Sequence, residues 1–184
     1  MGAMGGIVRS GRLLIGLTLL LAGNAPLQAQ DSSPEAGQAA PDFTLKDLTG
    51  SPVRLSDLIG HPVLINFWAS WCIPCRTEMP AIISALEAHR QEGLVVLAVN
   101  LRDQERSKDV RGFVAEFSLP FPVLLDERGR VRQQYALTAV PTTVFVAAGG
   151  VISAIHPGPM TEADLARNLA GVLPAKVTDT VSPP

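Results

Sequence analysis

The chain has 184 residues, 47% of them hydrophobic, only two cysteines and a formal net charge of −2. That length suits one domain with a real hydrophobic core. The mild acidity gives no electrostatic reason to bind nucleic acid or an anionic membrane surface, and two cysteines do not make a disulfide-stapled scaffold.

Residues 1–29 read as a secretory signal peptide. Arg9 and Arg12 supply a positive n-region, and Leu13–Ala22 is an apolar run of the length of an h-region. It is too short for a membrane span, which needs about 20 residues. Cleavage is expected after Ala29, which leaves 13 basic against 17 acidic residues. The alternative is membrane anchoring through an uncleaved N-terminus. Residues 30–40, rich in Ser, Pro, Glu, Gly and Ala, read as a flexible linker. The domain itself is expected over 41–174, with a frayed tail over 175–184. An exported fold of this size does not need staples, so the cysteine pair points to chemistry.

At the start of the domain, Phe43/Leu45 and Val53/Leu55 alternate around Thr49-Gly50, the pattern of a short hairpin. Ser56-Asp57 caps a brief turn, and His61 reads as a surface turn residue. Val63–Trp68 is a nearly unbroken apolar run, the signature of a buried strand. Four residues later the cysteines begin, as Trp71-Cys72-Ile73-Pro74-Cys75. Beyond them Met79, Ile82, Ile83 and Leu86 recur at helical spacing. Cys72 and Cys75 therefore sit where a buried strand gives way to a helix. Unpaired N–H groups and the helix dipole there favour a thiolate, the reactive form of cysteine. Cys72, nearer the helix end, is expected to be the exposed nucleophile and Cys75 the shielded resolving thiol. Pro74 fits a first helical turn. Pro80, inside the helix, is expected to kink it. Trp68 reads as core and Trp71 as surface around Cys72.

A zinc site would need further ligands, and His61, His89 and His156 are scattered. Haem attachment would need His after the second cysteine, where Arg76 stands. A structural bridge closing so short a loop constrains little of the unfolded chain. The redox reading remains, with no cofactor and no metal expected. Glu78 follows Cys75 by three residues, on one helix face, where a carboxylate can exchange protons with the thiols; a solvated helix charge is the alternative.

These residues resemble a known family. The Trp-Cys-x-Pro-Cys string is similar to the active site of thioredoxin-fold proteins. Asn66–Pro80 as a whole resembles exported thiol:disulfide oxidoreductases of the TlpA/ResA type, over about Pro41 to Leu173. The resemblance implies a thioredoxin fold, with a mixed central sheet flanked by helices, an N-terminal hairpin and an inserted helix and strand over about Arg106 to Leu125. It assigns the active-site acid to Glu78. It implies a cis bond before Pro141, packed against the cysteines, with Val140 offering its backbone to an extended client segment. Asn66 stands where cytoplasmic thioredoxins carry a buried Asp. The resemblance also implies an upstream membrane thiol reductase, and clients such as apocytochrome c or copper-site cysteines of respiratory oxidases. Ala139-Val140-Pro141-Thr142 departs from the string usual in the cytochrome-maturation subgroup.

The rest of the chain supports an α/β architecture. Leu94–Val99 reads as a second buried strand, and Val110, Phe113, Val114 and Phe117 as a helix stripe. Pro122–Leu125 is a short strand, Val131–Tyr135 a short helix. Thr142–Val146 and Val151–Ile155 form a hairpin, and Thr161 caps a last helix that Pro174 ends. The leading expectation is a monomeric dithiol reductase acting on client disulfides. A thiol peroxidase of the same fold and a Cu(I)-binding protein using the cysteine pair are the alternatives.

Overall fold

Val63–Trp68, the run read as a buried strand, is the third strand (β3) and the axis of the sheet. The computed structural model describes Gly2 and residues 33–101 and 106–174. Apart from Gly2, the expected signal peptide lies outside the described residues, as does the C-terminal tail. Before β3, strands β1 (Thr44–Asp47) and β2 (Pro52–Arg54) form the expected antiparallel hairpin. The first helix, α1, runs over Ile73–His89, and β4 over Val95–Asn100. Then come α2 (Ser107–Phe117), β5 (Val123–Leu125) and the short α3 (Arg130–Gln134). Strands β6 (Thr142–Val146) and β7 (Ile152–Pro157) form the late hairpin, and α4 (Glu162–Ala170) closes the fold.

The seven strands lie in the order β2-β1-β5-β4-β3-β6-β7. β3 and β5 flank β4 in parallel, and the other pairings are antiparallel. All six residues of β3 are buried because both faces of the sheet are covered. The pleat sends them alternately to two cores. Leu64 and Trp68 join Met79 and Ile82 of α1, Phe113 of α2 and Leu165 of α4. Ile65 and Phe67 face the other way, onto Phe43, Val131 and Tyr135. α2 and β5 are the insertion: β5 occupies the place between β4 and the N-terminal hairpin.

One expectation is corrected here. The flexible linker expected over residues 30–40 does not extend over its second half. Ala39 forms a β-bridge with Val151, and three backbone bonds tie this stretch to the β6–β7 hairpin: Gly37 N–H to Ile152 O (2.8 Å), Ala40 N–H to Gly150 O (2.9 Å) and Ile152 N–H to Gln38 O (2.9 Å). Its Gly, Ala and Gln composition looks like a linker, but small side chains also let a backbone lie close along a strand edge. Pro80 lies inside α1 as expected, on its exposed side, and the helix continues past it to His89.

Candidate active site at the start of the first helix

Where β3 ends, the chain turns through Ala69-Ser70-Trp71 into α1. Cys72 is the N-cap, in extended conformation, and Pro74 falls in the first turn. Cys72 and Cys75 are joined by a disulfide, with their Cα atoms 5.3 Å apart. The Cys75 backbone N–H donates to Cys72 Sγ at 3.2 Å. A helix-start N–H thus already points at the sulfur that would carry negative charge in the reduced state.

The expected exposure of Cys72 is corrected. It is 3% exposed, Cys75 0%. Its sulfur is turned inward, bonded to Cys75 and capping the helix. The solvent-facing surface comes instead from the neighbours, Trp71 at 56% and Ile73 at 75%. Trp71 is exposed and Trp68 fully buried, both as expected, and Pro74 is exposed as well.

Glu78 is not a solvated helix charge. It is 3% exposed and held from two sides. Asn66 Nδ2 donates to its Oε1 at 2.8 Å, and the Met160 N–H donates to its Oε2 at 3.1 Å. Burial pushes the carboxyl pKa up. The bonds from Asn66 and Met160, and the charge of His156, pull it down without cancelling that effect. Asn66 also donates to Thr143 Oγ1 at 3.0 Å, while its own Oδ1 is buried without a partner. The amide's orientation is therefore set by what it donates to.

The Val140–Pro141 bond is cis. β6 begins at Thr142 opposite Phe67, which puts Pro141 at the sheet end where β3 hands over to the cysteine loop. Val140 is half-buried and packs against the core cluster that contains Cys72, Cys75 and Met160. The Pro141 carbonyl accepts from the Gly158 N–H at 2.8 Å, tying this loop to the segment that reaches Glu78. Sequence reasoning missed Thr143, Met160 and His156. Strand alternation carried a signal for Thr143, which falls in register with Asn66; nothing local announced Met160. Among the described residues, no group of three or more His, Cys, Asp or Glu is placed to hold a metal ion.

The AhpC/TSA family model matches residues 36–155. The thioredoxin-like protein YneN of Bacillus subtilis is 43% identical over 136 residues, covering 73% of this chain and 79% of its own. The thiol-disulfide oxidoreductase ResA of Geobacillus kaustophilus is 38% identical, covering 75% of this chain and 78% of its own. Among solved structures, a Chlorobium tepidum protein assigned as thiol:disulfide interchange protein DsbE superposes with a TM-score of 0.70 at 32% identity, over 77% of this chain and 99% of its own. With a redox-capable cysteine pair at a helix start on a matching fold, the chain belongs to the AhpC/TSA family, as a ResA-type thiol:disulfide oxidoreductase of thioredoxin fold.

Proposed function

We propose that the chain is an exported dithiol reductant of client-protein disulfides. One observation carries this reading: a Cys72–Cys75 disulfide at the start of α1, with a buried carboxyl three residues on along the same helix. In the reduced protein, Cys72 thiolate attacks one sulfur of a client disulfide. That S–S bond breaks, a mixed disulfide forms and one client thiolate leaves. Cys75 gives its proton to Glu78 and attacks Cys72 Sγ. The mixed disulfide breaks, the Cys72–Cys75 bond closes and the second client thiolate departs. Two electrons pass to the client, whose thiolates take protons from water.

Trp71 and Ile73 supply an apolar docking surface, and Val140 and Pro141 a backbone edge for an extended client segment. The oxidised pair regains two electrons from an upstream membrane thiol reductase. Clients are exported proteins with reducible cysteines, cytochrome c or respiratory copper-site precursors among them. The working form is a periplasmic monomer.

The test is trapping. Cys75→Ala is expected to accumulate mixed disulfides through Cys72, visible on non-reducing gels, while Cys72→Ala accumulates none. First labelling of Cys75 by limiting alkylating reagent overturns the assignment. Negligible peroxide consumption and no retained Cu(I) separate this reading from the peroxidase and copper-carrier alternatives. Mass spectrometry of the exported protein is expected to find an N-terminus near Gln30.

A further inference from the structure

Glu78 is buried behind the face a client would cover, so the route by which it loses a proton is a separate question from how it gains one. A polar row crosses the sheet beneath it. Asn66 on β3 pairs with Thr143 on β6, and Thr143 pairs with His156 on β7. Residues opposed in a ladder share a face, so His156 projects to the side covered by α1 and α4. Ala154, two residues earlier on β7, packs against that same core cluster. His156 is half-buried. The β7–α4 connection that follows it supplies the Met160 N–H bound to Glu78.

Three charged groups bear on this position. Glu78 comes from α1 and Asp164 from the first turn of α4, and both feel the charge of His156. Arg167 of α4 is ion-paired with Asp164. Asn66 and Thr143 do not titrate and hold the carboxyl in place.

We propose that His156 is the proton outlet of Glu78, a positioning residue that passes the proton from the buried carboxyl to solvent at the start of α4. It rests on the reading of Glu78 as acceptor for Cys75. Each turnover loads one proton onto Glu78 when Cys75 is deprotonated, and the docked client closes the Trp71–Ile73 side. An imidazole can take a proton at one nitrogen and release one at the other. No bond other than N–H and O–H changes in this step, and no electrons move.

The test is steady-state reduction of insulin disulfides by the protein under excess dithiothreitol, from pH 6 to 9. His156→Gln keeps a polar side chain of similar size that cannot relay a proton. It is expected to slow turnover roughly tenfold, below the 10²–10⁴ range of a fully placed acid–base group. It should also flatten the pH profile, and added imidazole should restore the rate in proportion to its concentration. His156→Asn serves as a second non-titrating variant. In a Glu78→Gln background, His156→Gln should add nothing. An unchanged rate in both His156 variants overturns the outlet, as does a loss that imidazole does not rescue and that persists in the Glu78→Gln background. If Glu78→Gln itself matches the parent, the acceptor reading falls and the outlet with it; if Glu78→Gln is slow while both His156 variants match the parent, only the outlet falls.

Discussion

Glu78 is a carboxyl that the fold dries out and then partly compensates. Each hydrogen bond to a charged group contributes about 1.5–3 kcal/mol, yet two of them leave the pKa above the ordinary 4.5 because desolvation is the larger effect. The sign follows by linkage. The folded protein holds this proton more tightly than the unfolded chain, so the native state binds more protons at pH values between 4.5 and the raised value. The stability tied to this group is fully present below that window and is lost as pH rises through it. Glu78→Gln carries no proton to lose. The stability difference between Glu78→Gln and the parent, from urea denaturation at pH 4 to 8, should therefore move steadily in favour of Gln as pH rises, then level off. A fixed offset is expected as well, because the Gln amide presents a donor to either Asn66 or Met160. Parallel curves would refute the prediction. Other carboxylates, such as Asp42 beside Arg54, titrate identically in both proteins and cancel.

Helix α2 shows how an inserted element is fastened to the active-site helix. Trp68 of β3 lies against Phe113 with ring centroids 4.2 Å apart, and Phe113 against Phe117 at 4.7 Å. Arg76, directly after Cys75, lays its guanidinium over both α2 rings at 5.2 and 5.3 Å and pairs with Glu116. Cation–π contacts of this kind contribute about 0.5–2 kcal/mol; the buried ring contributes more. Phe113→Ala is expected to cost about 3–5 kcal/mol through cavity formation and lost transfer energy. A urea midpoint shift worth less than about 1 kcal/mol would mean that α2 is not part of the cooperative core. The stripe of Val110, Phe113, Val114 and Phe117 made α2 legible from sequence because it obeys one period. α1 was legible from its own helical stripe, β3 as a nearly unbroken apolar run, and the last helix from the Thr161 cap, where Asp164 Oδ2 accepts from the Thr161 N–H at 3.1 Å. The cysteine pair was legible because chemistry concentrates there in a short motif. The Met160–Glu78 bond was not, since it joins groups 82 residues apart and is made by a backbone N–H that carries no sequence signature. The inward turn of Cys72 escaped for another reason: helix-end placement says which thiol is activated, and the exposure depends on Trp71 and Ile73 around it.

Across the whole molecule, chemistry and fastening occupy opposite ends of the sheet. β6 starts at Thr142 beside the cysteine loop and leads away to Val146; β7 starts at Ile152 beside the strap of residues 37–40 and returns. Five residues of strand separate the two ends, roughly 13–17 Å at about 3.4 Å per residue. The strap pairs with the outer side of the hairpin, and Ile152, which it bonds, is almost fully buried. A chain trimmed to begin at Pro41 should thus lose stability relative to one beginning at Ser33. Three backbone hydrogen bonds at about 0.5–1.5 kcal/mol net each set a loss of roughly 1.5–4.5 kcal/mol as an upper range. Part of it is recovered because water re-pairs the freed groups on an edge already near solvent. The thiol chemistry should not follow. Disulfide exchange by the two chains, measured well below the denaturation midpoint of the weaker one, is expected to agree, because residues 37–40 bond to Gly150, Val151 and Ile152 at the far end of the hairpin. A trimmed chain that is equally stable would show the strap to be passive. One that folds normally but exchanges slowly would mean that the hairpin transmits the position of its N-terminal edge to Pro141, and that fastening and chemistry are coupled through β6.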